Sequence, residues 1–256
     1  NKSLFSDSCP IMTETSKVDS SIDQNQEDIW NFAFGSNLHP EKLKGRANLK
    51  VKECFPGKLK DWRLAFNLRG ISWLEPSMAG VEPAPGDEVH GVLLRMSPEE
   101  FRKLVLSEGE NHAYRQVEVE VETYHGTKQK ALAFSALDSR KMPEDKPPTL
   151  RYLELIRTGA RLRGLAPDYI SRLDSLEHFE KGPLTQLISH LLFDMMMFFG
   201  SIGKPQIASR LFRSLRWIDG SFFPGSLKWL LNITILTPAL ILAAILSLRH
   251  QLRPKS

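Results

Sequence analysis

The sequence predicts an α+β fold in which a small β-barrel packs against helices, followed by apolar, membrane-associated helices at the C-terminus. Three observations support this. Short apolar and alternating segments typical of strands fill the first half of the 256-residue chain. Helix signals follow them, and strands followed by helices are typical of α+β proteins. The last third of the chain is both its most apolar and its most basic part.

The segment at residues 1–27 is predicted to be a disordered leader because it is polar and acidic. It also lacks the basic and then apolar pattern of a signal peptide. Two cysteines, Cys9 and Cys54, do not make a disulfide framework. The seven histidines show no spacing that is typical of metal ligands. We therefore expect a reducing compartment and no metal site.

An apolar run at 29–38 predicts a buried strand that ends in a Gly35-Ser36-Asn37 loop. Glycine tolerates positive φ, so this loop can direct several backbone N–H groups into one small site for a carboxylate or an oxyanion. An ordinary turn explains the same residues, and the loop alone does not decide between the two interpretations.

The next elements are a short helix and three strands, predicted at 40–46, 51–55, 62–67 and 89–96. Three prolines and a glycine predict turns ahead of the last of these strands: Pro76, Pro83, Pro85 and Gly86. The segment Ser97-Pro98-Glu99-Glu100 has a Ser cap, a proline at the first helical position and a glutamate at the third. This capping box predicts a helix that ends at Glu108-Gly109.

Residues 114–124 alternate between valines and glutamates, which predicts a strand with one wet face. The period of two assigns the glutamates to a solvated sheet face rather than to a catalytic carboxylate cluster. A second alternating strand is predicted at 128–137, and helices at 149–163 and 167–181.

Five segments, taken in chain order, resemble the gamma-glutamylcyclotransferase family, and the similarity runs from about 29 to 179. The Gly35-Ser36-Asn37-Leu38 loop resembles the family's substrate loop, and 85–92 resembles its strand before the catalytic helix. Glu108-Gly109 falls where the family has its catalytic glutamate. Tyr152 with Gly159-Ala160, and then 164–169, resemble its C-terminal helices.

The resemblance implies a gamma-glutamylcyclotransferase-like barrel at 28–182 and an enzyme that needs neither cofactor nor metal. In the implied reaction the α-amine of a γ-glutamyl substrate attacks its own γ-carbonyl and releases 5-oxoproline and an amine. Glu108 would be the catalytic residue that transfers the proton. The implied substrate-binding residues are Asn31, Phe32, Ala33, Phe34, Gly35, Ser36, Asn37 and Tyr152.

Phe34 is a departure from the family, which usually has tyrosine at this position. The missing hydroxyl leaves an alternative open, a catalytically silent, membrane-tethered module that binds γ-glutamyl groups. Tyr114 is a candidate to supply a compensating hydroxyl. The leaving group is also open: a glutathione-derived adduct, as in the fungal gliotoxin-type branch, or another γ-glutamyl amide, peptide or protecting group.

The C-terminal part carries the positive charge. From residue 183 onwards 8 Lys/Arg stand against 2 Asp/Glu, a net of +6, so 1–182 carries −2 of the total of +4. Apolar and basic character together favour membrane lipid over nucleic acid as a partner. We expect an amphipathic region at 183–228, a transmembrane helix at 229–248 and a basic tail at 249–256, with the catalytic domain in the cytosol. A buried soluble helix is the alternative for 229–248, and the oligomeric state is undetermined.

Overall fold

The structure is a computed structural model that describes residues 27–47, 49–108, 113–201, 205–221 and 223–251. Of the predicted leader, only Glu27 is among these residues. Of the predicted basic tail, residues 252–256 lie outside them. Within the described residues the chain forms two compact units. The barrel unit takes Asn1–Leu68 and Met78–His178, and the helical unit takes Arg69–Ser77 and Phe179–Ser256.

Five described strands close a barrel, as the sequence predicted. They are β1 (Ile29–Ala33), β2 (Glu53–Ile71), β3 (Glu75–Met96), β4 (Tyr114–Thr123) and β5 (Lys128–Ala136). Their order around the barrel is β1-β3-β2-β4-β5. Strand β1 pairs with β3 in antiparallel register, Ile29 opposite Met96, and closes the barrel through a parallel pairing of Asn31 with Leu132 of β5.

The prolines predicted to form turns lie instead inside one long strand, and two predicted strands are merged into β2. Pro83 and Pro85 precede the residues of β3 that pair with β1, so their missing N–H groups cost that pairing nothing. Gly86 has a φ of 85°, Asp61 of β2 has a φ of 62°, and the Asp61 carboxylate accepts a hydrogen bond from the Gly86 N–H at 2.9 Å. This local irregularity replaces the predicted turns.

Seven described helices accompany the barrel. They are α1 (Pro40–Ala47), α2 (Pro98–Ser107), α3 (Leu150–Leu162), α4 (Pro167–Asp174), α5 (Pro183–Ser201), α6 (Pro205–Gly220) and α7 (Gly225–Gln251). The predicted cap of α2 is confirmed, since the Ser97 side chain accepts a hydrogen bond from the Glu100 N–H. Helix α4 is shorter than predicted, because the Arg157 guanidinium binds the carbonyls of Leu173 and Asp174 and terminates it.

The barrel interior and the inner faces of α2, α3 and α4 form one apolar core. The alternation of β4 fits it, because Val119 and Val121 are buried while Glu118 and Glu120 are exposed. Burial of the valine face fixes the register of β4, and the glutamates therefore lie on the solvated face, as predicted.

Helices α5, α6 and α7 pack on one another in the helical unit, around Leu192, Met195, Leu215 and Leu236. The prediction of a transmembrane helix at 229–248 is not supported. A helix forms there, but within the part of the chain that the structure describes no helix has the length and apolarity needed to cross a membrane. The predicted anchoring of the chain by its C-terminus is likewise unsupported.

Candidate active site

A recess at the end of β1 brings together most of the predicted site residues. It is small and opens to solvent. It is lined by Phe32, Ala33, Phe34, Gly35, Ser36, Asn37, Ala79, Glu108, Tyr114, Phe134 and Tyr152. Carboxylate, amide and phenol groups stand among apolar side chains in this lining, so the recess suits a compact polar group.

The loop after β1 is a single 3-10 turn over Ser36–Leu38. The Leu38 N–H donates to the Gly35 carbonyl at 3.0 Å, which closes the turn. The expectation that Gly35 uses positive φ is wrong, since its φ is −106°. A Cβ at this position would lie 3.4 Å from the Ala79 Cβ, an ordinary van der Waals distance. The turn, rather than a left-handed glycine, therefore determines the direction of the loop's N–H groups.

Helix α2 places Glu108 at the recess. Phe101, Leu104 and Val105 bury one face of the helix in the core, and Glu108 is the residue that caps its C-terminus. At the other end, the Glu100 carboxylate accepts a hydrogen bond from the Lys50 N–H at 2.9 Å. Core packing and this bond hold the helix in place, and its C-terminal residue Glu108 lines the recess.

Charge around Glu100 supports this arrangement. The Lys103 ammonium donates a hydrogen bond to Glu100 at 2.8 Å. This bond, together with the bond from the Lys50 N–H, outweighs burial and lowers the pKa of Glu100 below its ordinary value. Glu100 therefore stays ionised at neutral pH and keeps the start of α2 in place.

The loop and the helix meet through one hydrogen bond. The Nδ2 of Asn37 donates to the Oε1 of Glu108 at 2.9 Å, across 71 positions of sequence. Asn37 is almost fully buried, whereas Glu108 is partly exposed. The predicted proton-transfer residue and the predicted binding loop are therefore in direct contact.

Two tyrosines, Tyr152 and Tyr114, line the recess and bind the same backbone residue. The Tyr152 phenol oxygen accepts a hydrogen bond from the Ala79 N–H at 3.2 Å, and the Tyr114 hydroxyl donates to the Ala79 carbonyl at 2.9 Å. Both phenols thereby hold β3 in position against the recess. The side chain of Phe34 is buried, and its ring centroid lies 6.2 Å from that of Phe32. At this position, where the family usually has tyrosine, the chain therefore contributes packing and no hydroxyl.

Asn31 is the one predicted binding residue that the structure does not place on the recess. Its Nδ2 donates to the Leu132 carbonyl at 2.8 Å, where β1 and β5 close the barrel. Conversely, Ala79 and Phe134 line the recess but had no sequence signal, because nothing distinguishes them from other residues of β3 and β5. Tyr114 was noted only as a possible source of a hydroxyl.

Comparison with known proteins gives, for the barrel unit, the family that the sequence motifs resemble. The sequence model of the AIG2-like family matches residues 88–173. The chain is 32% identical over 193 residues to the gamma-glutamyl cyclotransferase gliK of Aspergillus fumigatus, covering 65% of this chain and 69% of that one. It is 30% identical over 175 residues to the gamma-glutamylcyclotransferase of Mus musculus, covering 66% of this chain and 90% of that one.

The solved structures agree. One of them, described as a gamma-glutamyl cyclotransferase, superposes with a TM-score of 0.52 at 26% sequence identity. The match covers 64% of this chain and 99% of that structure. The barrel with its packed helices therefore has the fold that the resemblance implied.

Proposed function

Because the chain belongs to the gamma-glutamylcyclotransferase family of enzymes, we propose that it closes the glutamyl group of a γ-glutamyl substrate into 5-oxoproline and releases the attached amine or amino acid. The observation that carries this proposal is the convergence of the 32–37 loop and Glu108 on one recess. These are the parts to which the resemblance assigned substrate binding and proton transfer.

The reaction balances without water or a cofactor. Glu108 takes one proton from the α-ammonium, and the resulting amine attacks the γ-carbonyl carbon and forms the ring C–N bond. Glu108 gives that proton to the leaving nitrogen as the original amide bond breaks, and the second proton of the attacking nitrogen goes to the released amine, which leaves as an ammonium. Because the attack is intramolecular, holding the substrate folded back on itself supplies much of the rate enhancement.

The recess divides these tasks between its two sides. N–H groups of the 32–37 loop bind the α-carboxylate and the developing oxyanion, since a turn of this kind leaves its first donors without an acceptor inside the turn. Glu108 faces the amine from the end of α2. The opening to solvent leaves room for the leaving group to project out of the recess.

A glutathione-derived adduct is the substrate we favour within this class. The chain resembles a fungal relative whose name is gamma-glutamyl cyclotransferase gliK, and an open recess places few limits on the size of the leaving group. The test compares kcat/KM for a glutathione S-conjugate with kcat/KM for γ-glutamyl-alanine. A preference for the simple dipeptide would contradict this choice of substrate.

The activity itself is tested by incubating the full chain with γ-glutamyl-alanine and measuring 5-oxoproline. Replacement of the proton-transfer group by Glu108→Gln should lower kcat by about 100-fold or more, the range typical of general acid–base groups. Glu99→Gln is the matched control, because Glu99 lies on the same helix, is exposed and pairs with Lys103. Equal rates in the two variants would remove Glu108 from its proposed role.

A second candidate function follows from Phe34, which places no hydroxyl on the recess. In this alternative the chain binds γ-glutamyl groups without cyclising them. Calorimetric binding of a γ-glutamyl ligand, with no 5-oxoproline from either the wild type or Phe34→Tyr, would favour the silent module. Turnover by the wild type excludes it.

For the helical unit, a lipid surface is the partner that fits the outward face of α6. Ile207, Arg210, Arg213 and Trp217 are exposed at helical spacing, while Leu215 on the other side is buried. Exposed tryptophan beside arginines is typical of a helix that lies in an anionic membrane interface. The net charge of +6 from residue 183 onwards complements such a surface.

Sedimentation of the full chain with vesicles tests this interaction. Binding is expected with phosphatidylcholine that contains phosphatidylserine and not with phosphatidylcholine alone. Two arginines near an anionic surface contribute about 1 kcal/mol each, and glutamates are also repelled by it, so Arg210→Glu with Arg213→Glu should weaken binding at least about 30-fold. The matched control reverses exposed charges of the barrel unit, Arg115→Glu with Lys130→Glu. Equal binding to both vesicle types would contradict the proposal.

A further inference from the structure

The hydrogen bond between Asn37 and Glu108 has a defined direction. A carboxylate only accepts hydrogen bonds, so the amide must present its Nδ2 to the Glu108 Oε1, as the 2.9 Å contact has it. The reversed amide would oppose two oxygens at this distance. Asn37 is therefore fixed as the donor and Glu108 as the acceptor.

The other end of the same amide is unfavourable for stability. The Oδ1 of Asn37 is buried and has no hydrogen-bond partner among the described residues, and the side chain is 8% exposed. A buried acceptor without a partner destabilises the folded state. An apolar side chain of similar size would avoid this cost, so stability does not explain an asparagine here.

We infer that Asn37 is a positioning residue that holds the Glu108 carboxylate in place for proton transfer. This inference rests on the proposed function. A glutamate has three rotatable side-chain bonds, and a hydrogen bond from a turn that is itself buried restricts them. With its Oε1 held by Asn37, the carboxylate keeps one orientation at the recess. A donor also favours the ionised form, which is the form a general base requires.

The barrel unit offers a matched control in Asn67. Its Nδ2 donates to the Oε1 of Glu82 at 2.6 Å, its Oδ1 is also buried without a partner among the described residues, and its side chain is 1% exposed. Neither Asn67 nor Glu82 lines the recess. The two asparagines thus share chemistry and burial but differ in location.

The experiment measures kcat and the pH profile of kcat/KM for γ-glutamyl-alanine, together with the melting temperature. Asn37→Leu should lower kcat by about 10- to 100-fold, because a misplaced reacting group costs this much, while the melting temperature stays equal to the wild type or rises. Asn37→Asp should move the acid limb of the profile to higher pH by about one pH unit or more, because two adjacent carboxylates resist ionising together. Asn67→Leu and Asn67→Asp should leave both kcat and the acid limb unchanged.

A second measurement does not depend on turnover. In a ¹³C NMR titration of glutamate carboxyls, the Glu108 signal is identified by its loss in Glu108→Gln. It should titrate at higher pH in Asn37→Leu than in the wild type, because the carboxylate has lost a donor. If the wild type forms no 5-oxoproline, the proposed function is overturned. The titration then still tests whether Asn37 controls the ionisation of Glu108. Wild-type kcat in Asn37→Leu, or an unchanged Glu108 titration in both Asn37 variants, would overturn the positioning role.

Discussion

The recess and the cluster around Glu82 both contain a buried asparagine that donates to a glutamate, yet their surroundings differ. We define the Glu82 cluster as Arg63, Asn67, Glu82, Lys141 and Asp145. In it the Arg63 guanidinium contacts Glu82 at 2.6 Å and Asp145 at 2.8 Å, and Lys141 also pairs with Glu82. The described residues that line the recess include no lysine or arginine.

This difference separates a structural carboxylate from one suited to chemistry. Burial alone would raise the pKa of Glu82, but hydrogen bonds from Lys141, Asn67 and Arg63 outweigh it and lower the pKa. Glu82 therefore stays ionised at neutral pH. A carboxylate that must accept and return a proton has to avoid such strong stabilisation of one form, and neutral partners such as the Asn37 amide meet this requirement.

Among three variants that test this comparison, Gly159→Ala should change the protein most, because it should break the recess and leave the Glu82 cluster intact. A Cβ at Gly159 would lie 2.7 Å from the His39 nitrogen and 2.8 Å from the Leu38 carbonyl carbon. These backbone atoms cannot move aside, so α3 would be pushed away from the turn that carries Asn37. We expect about 1–3 kcal/mol lower stability, as for other overpacked sites, and a loss of kcat/KM of at least about tenfold.

Chemical denaturation and the 5-oxoproline assay measure the two effects. Gly182→Ala is the control, because a Cβ there meets nothing within 4 Å. If Gly159→Ala and Gly182→Ala have equal activity, close packing of α3 on the turn does not shape the recess.

An intermediate effect is expected from Glu82→Gln, which should change stability and not activity. Arg63 and Lys141 would lose a charged partner, and leaving such groups without it costs about 1–3 kcal/mol. The kcat/KM should stay unchanged, since neither Glu82 nor its partners line the recess. A large fall in kcat/KM with unchanged stability would reverse the roles that we assign to the two regions.

The contribution of Glu82 should also depend on pH. Its pKa is lowered in the folded state, so its stabilisation is present above the ordinary glutamate pKa of about 4.3 and is lost as pH falls through the folded-state value. The stability difference between the wild type and Glu82→Gln should therefore shrink on acidification. Denaturation curves at several pH values measure this difference, and a constant value would show that Glu82 does not titrate with folding.

The smallest effect is expected from Tyr114→Phe, which removes the hydrogen bond to the Ala79 carbonyl at 2.9 Å. One such bond is worth about 0.5–1.5 kcal/mol, which corresponds to a loss of roughly 2- to 10-fold in kcat/KM. Tyr124→Phe is the matched control, because the Tyr124 hydroxyl contacts His90 and the Ala166 N–H rather than the recess. Steady-state kinetics that show equal losses in both variants would argue against a local role for Tyr114.

Local patterns in the sequence were sufficient for several elements. The alternation at 114–124 correctly identified β4, and Ser97-Pro98 correctly identified the start of α2. They failed for β3, where Pro83 and Pro85 normally indicate turns. The strand continues because those prolines precede its pairing with β1, a property of the register that no local pattern contains.

The candidate site, too, was predictable from the sequence only in part. The loop at Gly35-Ser36-Asn37 and Glu108 were identified from the resemblance, but their contact was not. Ala79 lines the recess without any sequence signal, because the fold brings the first part of β3 beside Tyr152.

The order of the elements, the family and the residue types available for chemistry can be read from the sequence, because capping, alternation and short motifs act over a few neighbouring residues. The three-dimensional packing is needed to show which of two similar Asn–Glu pairs lies in a recess and which lies in a charged cluster. Asn37 and Glu108 are 71 positions apart. Burial of the barrel and α2 in one core brings them together, and that burial depends on the whole chain rather than on either segment.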